Sequence, residues 1–367
     1  MLVLVDGHML GARETGNETY VRGLLAGLED MGRRDAVAVR RSNVDIGVHY
    51  PVLLPRRSDA ARLLADLPAA ARSCGAAVIH STYAAPPRAS CARVVTVHDV
   101  SFLAYPEWFT ARDLAVLNAG VRFSVRRAER VIVPSTHARD ELIRLLGVPE
   151  QRIGVTPEAA DARFRPLDDD QTGPVVQRYG LERPFVLTVG NQQPRKNLGR
   201  LLQAWKMLAA AGHDGGCRLV IAGGHRGRRD DLASLAAALG LQQHVLFLGY
   251  VPHEDVPALY AAAEAFAFPS LYEGFGLPLL EAMACGTPVV SSNATSLPEV
   301  AGDAAVFFDP LDVSGMVTTI GALILDDGLR TALRERGLRQ AARFSWKACA
   351  EATVSVYEEA VREHGSA

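Results

Sequence analysis

The chain has 367 residues, 49% of them hydrophobic and 22% charged, with a formal net charge of −2. This composition excludes a disordered chain, the near-zero charge excludes a global field drawing the protein to nucleic acid, and the length predicts two cores rather than one. No apolar run is long enough to cross a bilayer, and Met1–Val5 stops at Asp6 without the basic start or cleavage site of a signal peptide, which predicts a cytoplasmic protein with at most surface contact to a membrane.

Leu2–Val5 is the first predicted strand. After it, Asp6-Gly7-His8-Met9-Leu10-Gly11 has its glycines wrongly spaced for the GxGxxG of a nicotinamide-dependent oxidoreductase. A helix is predicted over Asn17–Met31, with Tyr20, Val21, Leu24, Leu25 and Leu28 on one face. Strands follow at Ala77–Ile79, Val94–Val97, Val131–Val133 and Ile153–Val155, with helices over Ala111–Arg127 and His137–Leu146. These strands are apolar and β-branched throughout, as expected of a parallel sheet covered on both faces.

Asp168–Pro174 carries charge and helix breakers and reads as part of a linker. The pattern then restarts, with strands at Phe185–Val189, Leu219–Ala222, Val245–Leu248, Ala265–Phe268, Val289–Ser291 and Val306–Phe308, and a last helix over Trp346–Glu363. The alternation predicts an α/β chain of two doubly wound, Rossmann-like domains, residues 1–168 and 174–345, with residues 346–367 packing back on the first. Ligands of such sheets sit at the C-terminal strand ends, so facing domains would enclose a central cleft. The five cysteines, Cys74, Cys91, Cys217, Cys285 and Cys349, are scattered without zinc spacing and read as reduced thiols.

The stretch Pro269–Ala282 carries the most chemistry. Gly274 and Gly276 allow a tight turn after a strand, and Pro278 suits a helix start. The N–H groups of Phe275 to Leu279 would then point from a helix N-terminus, a setting for anions and hydroxyls. Glu273 lies just before the turn and Glu281 about one helical turn beyond it. A carboxylate can accept both hydroxyls of a ribose, and a second can hold sugar hydroxyls. Alone, such a pair would be ordinary solvated charge; the glycine turn makes it a candidate site. After the strand at Phe185–Val189 comes Gly190-Asn191-Gln192-Gln193-Pro194-Arg195-Lys196. Arg195 and Lys196 at a helix start suit a pyrophosphate and would stabilise a departing diphosphate. Lysine occurs only at positions 196, 206 and 347, so Lys196 stands out against an arginine-rich background.

Together these residues resemble the retaining glycosyltransferases of family 4, of the GT-B fold, and especially bacterial mannosyltransferases. The family's Glu–seven residues–Glu signature is matched by Glu273 and Glu281, and its phosphate-binding run by Pro194-Arg195-Lys196-Asn197. Phe247–Pro252, including Val251, resembles the segment beside the nucleotide base, and Leu297–Val300 another family run. Gly16–Val21 resembles the glycine loop facing the donor, and Val97-His98-Asp99 the segment whose histidine touches the transferred sugar. The resemblance implies a nucleotide-sugar donor, GDP-mannose first and UDP-hexoses second. Lys196 and Arg195 would bind its diphosphate, Glu281 its ribose, and Glu273 with Gly274, Phe275, Gly276 and Leu277 its sugar. Gly190 and Asn191 border the phosphate; many relatives carry an arginine where this chain has Asn191. Transfer would proceed by front-side displacement, by positioning and charge stabilisation and with no metal or other cofactor.

The acceptor, a glycan or lipid-linked glycan, belongs by the same resemblance to the N-terminal domain. Phe102, Tyr105, Trp108 and Phe109 read equally as a sugar-stacking surface or as core. Arg56, Arg57, Arg62, Arg126 and Arg127 are candidates for anionic lipid headgroups, or a solvated face. A sugar-nucleotide epimerase, a phosphorylase or an inactive glycan-binding protein of the same fold are the rival readings.

Overall fold

The computed structural model describes residues 1–11, 15–55, 58–224 and 231–366. The chain forms two compact units, one of residues 1–106, 111–159 and 344–367, the other of residues 107–110 and 160–343.

The first unit is built on a seven-stranded sheet. Its strands are β1 (Val3–Asp6), β2 (Ala36–Val39), β3 (Tyr50–Leu53), β4 (Val78–Thr82), β5 (Ala92–Thr96), β6 (Arg130–Val133) and β7 (Ile153–Val155). All pair in parallel in the order β3-β2-β1-β4-β5-β6-β7. β2 and β3 were not foreseen. β2 is a four-residue apolar run, Ala36–Val39, too short for periodicity to register. β3 contains Pro51, which an edge strand tolerates because one side of it needs no ladder N–H. The predicted helix near Asn17 runs Thr15–Asp30, and helix Trp346–His364 lies against it. Gly23 and Gly27, one turn apart, make that approach possible, because a Cβ at either would collide with Trp346. A buried polar chain crosses this interface: Tyr357 Oη lies 2.6 Å from His80 Nδ1, His80 Nε2 lies 2.7 Å from Thr96 Oγ1, and Thr96 Oγ1 lies 3.0 Å from Tyr20 Oη. Phe102 belongs to the core, at 2% exposure, whereas Tyr105 is exposed.

The second unit holds a six-stranded sheet. Its strands are β8 (Phe185–Val189), β9 (Arg218–Ala222), β10 (Val245–Gly249), β11 (Ala265–Phe268), β12 (Val289–Ser292) and β13 (Ala305–Phe308). The order is β10-β9-β8-β11-β12-β13, again all parallel. Trp205, Leu201, Leu202 and Leu208 of helix Leu198–Ala210 bury one face of it.

Two expectations need correcting. The stretch at Asp168–Pro174 is not a linker but the start of helix Asp169–Arg178. Asp168 caps it, accepting from the Gln171 N–H at 2.9 Å, while the Gln171 side chain reaches back to the Asp168 N–H. This capping box offsets the breaking tendency of Gly173 and Pro174. Arg62 is no solvated cation: it is 4% exposed and ion-paired to buried Asp6. Arg56 and Arg57 lie outside the described residues, while Arg126 and Arg127 are exposed. No helix among the described residues is long and apolar enough to cross a membrane.

Candidate functional site

In the second unit, glycines sit at the C-terminal ends of three adjacent strands. Gly190 follows β8 with φ 150°, Gly223 follows β9 with φ 146°, and Gly249 ends β10 with φ 65°. Gly190 N–H donates to Ala222 O at 2.9 Å, and Gly223 N–H to Gly249 O at 2.7 Å. A Cβ on Gly223 would collide with the Gly190 carbonyl, so the loops after β8 and β9 run in backbone contact only because that side chain is missing. Asn191 and Gly190 are half-buried on this rim, and Val251 is buried just beyond β10.

The loop after β8 ends in a single turn, Pro194–Lys196, that delivers both cations. Asn197 then takes a left-handed conformation, φ 56°, and its Nδ2 donates to the carbonyls of Pro269 at 3.1 Å and Pro310 at 2.8 Å. Leu271 N–H donates to Arg195 O at 2.8 Å. The two loops are thereby tied together, and their side chains meet. Lys196 Nζ lies 2.5 Å from Glu273 Oε1, and Arg195 Nη1 lies 2.9 Å from Glu273 Oε2. Lys196 Nζ also sits 4.8 Å from the centre of the Phe268 ring. Burial alone would push the Glu273 carboxyl up, but Lys196 and Arg195 overcome it and hold it at about 2.

The Glu273 backbone is fixed as firmly as its side chain. Its N–H donates to Thr295 Oγ1 at 3.0 Å, and Ser296 Oγ donates to the carbonyls of Glu273 at 3.0 Å and Phe275 at 2.8 Å. Gly276 caps helix Leu277–Ala284 with φ 117°, and a Cβ there would meet Leu297 Cδ2 at 2.7 Å. The N-terminal donor set is smaller than expected. Pro278 has no N–H, and Leu279 N–H is already given to Gly276 O at 2.9 Å. The turn at Gly274, Phe275, Gly276 and Leu277 lies beside Glu273.

Glu281 is the fifth residue of that helix and is buried. Tyr260 Oη donates to its Oε2 at 3.1 Å. Burial pushes its carboxyl up to about 7, with Tyr260 and Lys196 opposing the rise and Asp161 adding to it. The Lys196 charge therefore acts on both glutamates.

His98 and Gly16 belong to the first unit. His98 follows β5, its Nδ1 2.9 Å from Oε1 of buried Glu158 and its ring edge-on to Tyr20 at 4.7 Å. Its Nε2 is buried without a hydrogen-bond partner. Gly16 is exposed in the first turn of helix Thr15–Asp30, with open space where its Cβ would be.

Sequence reasoning missed Tyr260, Thr295, Ser296 and Glu158. Each holds a candidate residue from a segment distant in sequence, and none carries a local signal; Thr295 is a non-glycine residue with φ 54°.

Two families match. Residues 15–164 match glycosyltransferase family 4, and residues 175–340 match glycosyl transferases group 1. The O-antigen chain mannosyltransferase B of Escherichia coli is 40% identical over 72% of this chain and 70% of its own length. A serotype-specific mannosyltransferase, WbdA, of the same organism is 33% identical over 60% of this chain but only 27% of its own length. A D-inositol 3-phosphate glycosyltransferase of Corynebacterium jeikeium is 36% identical over 64% of this chain and 58% of its own. Among solved structures, the sucrose-phosphate synthase of Thermosynechococcus elongatus superposes with a TM-score of 0.79 at 22% identity, covering 98% of both chains. WaaG, a glycosyltransferase involved in lipopolysaccharide biosynthesis, gives 0.76 at 17% identity over 97% of this chain and 99% of its own. Anabaena HepE, in complex with UDP and glucose, gives 0.74 at 19% identity over 97% and 98%. The two parallel sheets with their helices are those of GT-B structures.

Proposed function

The chain belongs to the family 4, group 1 glycosyltransferases, and from that premise we propose that it is a retaining mannosyltransferase using GDP-mannose. The observation that carries the reading is the Arg195–Glu273–Lys196 cluster beside the β8 and β11 strand ends. Two cations against one carboxylate leave a net positive charge there, fitted to a diphosphate that leaves with the electrons of the broken glycosidic bond. Glu273 fixes both cations so that little reorganisation is needed when charge develops. A carboxylate has about four acceptor positions; the cations take two, and the others can receive hydroxyls of the transferred sugar beside the Gly274–Leu277 turn. Glu281 receives the ribose diol. The sugar oxygen bond forms on the face the diphosphate leaves, whose oxygen takes the acceptor proton, and the anomeric configuration is kept. The HepE complexes, with UDP and glucose or UDP-glucose, support a nucleotide-sugar donor; the E. coli mannosyltransferases support mannose. On the family resemblance alone, His98 is assigned to the transferred sugar and Gly16 to the donor loop.

The acceptor is proposed to be a glycan or lipid-linked glycan. Helix Ala111–Arg127 presents Val116 and Phe123 beside Arg126 and Arg127, all exposed, a surface suited to an anionic membrane. Calorimetric titration with GDP-mannose, UDP-glucose and UDP-N-acetylglucosamine tests the donor: GDP-mannose is expected to bind and to be turned over. Binding of none of these sugar nucleotides would sink the reading.

A further inference from the structure

The loop after β1 in the first unit holds a charged constellation that includes none of the candidate site residues. Asp6 ends β1, and its side chain is fully buried. One carboxylate oxygen is ion-paired to Arg62, itself 4% exposed, and the other lies 3.0 Å from His8 Nδ1. The loop carrying His8 is pinned at both ends. Gly7 N–H donates to Ala38 O at 2.9 Å, Gly11 N–H to Glu18 Oε1 at 3.0 Å, and Arg41 Nη1 to Gly11 O at 2.8 Å. A Cβ on Gly7 would meet Leu10 Cδ1 and Val37 Cγ1, both at 2.8 Å, so the loop is seated tightly on β2.

Stability is a weak reason for this arrangement. A buried Arg–carboxylate pair is often matched or exceeded by apolar residues of similar volume, and Val3, Leu4 and Val5 of the same strand are apolar. The arrangement does fix a histidine. A neutral imidazole whose Nδ1–H is donated to a carboxylate carries its lone pair on Nε2. Arg62 and His8 both favour the ionised Asp6 against the opposing effect of burial. The His8 side chain is 18% exposed, and its Nε2 has no hydrogen-bond partner among the described residues. β1 is also where the strand order turns, with β2 and β3 on one side and β4 to β7 on the other. Ligands of doubly wound sheets bind at the C-terminal strand ends beside that switch point.

We propose that His8 is an acceptor-binding residue, its Nε2 receiving a hydrogen bond from a hydroxyl of the glycan acceptor, with Asp6 and Arg62 as the positioning residues that set its tautomer. The assignment rests on the chain being a glycosyltransferase with a glycan acceptor. It is a ground-state contact, and no proton leaves the acceptor through it.

The test uses mannobiose as the acceptor probe. In wild-type protein, long-range ¹H–¹⁵N spectra are expected to show His8 protonated at Nδ1 only, with the Nε2 resonance moving as mannobiose is added. The His8→Ala variant assigns the signal. In transfer kinetics, His8→Ala is expected to raise the KM for mannobiose about tenfold, the loss of one hydrogen bond to a fixed partner, with the KM for GDP-mannose within about twofold of wild type. An Nε2 resonance unmoved by saturating mannobiose, or an unchanged acceptor KM in folded His8→Ala, overturns the proposal. If GDP-mannose does not bind but the Nε2 resonance still moves, the donor reading fails and the acceptor site stands.

Discussion

Lys196→Ala probes a buried ion pair at the centre of the candidate site. Lys196 and Glu273 side chains are 8% and 9% exposed, and the carboxyl falls from its ordinary 4.5 to about 2. A fall of that size corresponds to about 3 kcal/mol in favour of the ionised form. Burial opposes the fall, so Lys196 and Arg195 together supply more than this, and roughly 2 kcal/mol or more belongs to Lys196. The Lys196 ammonium over the Phe268 ring adds about 1 kcal/mol of lost cation–π contact. The variant is expected to lose about 3 kcal/mol of stability at pH 7.5 and roughly two to three powers of ten in turnover. The sign with pH is fixed. Glu273 is depressed in the folded state, so its contribution is present above about pH 4.5 and fades as pH falls towards 2. The Lys196→Ala penalty should therefore shrink between pH 7.5 and pH 3. Urea unfolding at both values, combined with Glu273→Gln in a double-mutant cycle, gives the coupling, expected at about 2 kcal/mol. A coupling under about 0.5 kcal/mol at pH 7.5 would refute the electrostatic account of the cluster.

Three further outcomes are expected. Gly276→Ala forces a side chain into φ 117° and against Leu297; it should lower stability by about 1–3 kcal/mol and weaken GDP-mannose binding, as read by urea unfolding and calorimetry. Glu281 is raised to about 7, so between pH 4.5 and 7 the folded chain keeps a proton the unfolded chain has released, and stability falls as pH rises through that window. Glu281→Gln should thus be more stable than wild type by about 1–3 kcal/mol at pH 8, show no such gain at pH 4.5, and bind nucleotide more weakly. His80 is held down at about 3 by burial; the unfolded chain takes up its proton first as pH falls below 6.5, so this residue contributes a stability loss of about 1.4 kcal/mol per pH unit down to pH 3. His80→Asn should flatten the pH dependence of unfolding between pH 6 and 4.5, and an unchanged slope would remove His80 from the acid limb.

What the sequence made legible was whatever repeats or punctuates. The Ala265–Phe268 and Phe185–Val189 strands and the Ala111–Arg127 helix fall where apolar runs and periodicity put them. Glu273, Arg195 and Lys196 were visible because each sits at the end of such a run, beside glycine or proline. Their mutual contact was not, because it spans 77 positions and depends on the Leu271–Arg195 backbone bond. The helix at Asp169–Arg178 was misread because Gly173 and Pro174 were weighed as breakers while the Asp168–Gln171 capping box went unread. The fate of Arg62 was hidden for a different reason: its partner Asp6 lies 56 positions away, at the end of β1.

The two carboxylates of the second unit show why a sequence motif does not fix chemistry. Glu273 and Glu281 are eight positions apart, equally buried, and both within the field of Lys196. Yet one is held at about 2 and the other raised to about 7. The difference is partners. Glu273 meets two cations directly, whereas Glu281 meets a neutral tyrosine hydroxyl and the field of Asp161. Glu273 is therefore already charged and fully oriented before any ligand arrives, as the proposed role of fixing two phosphate-binding cations requires. Glu281 lacks such a partner, and the two hydroxyls of a ribose are the kind of donors that favour its ionised form. Nucleotide binding near pH 7 is thus expected to release protons through Glu281, a linkage that Glu281→Gln removes and that calorimetry in buffers of different ionisation enthalpy detects directly.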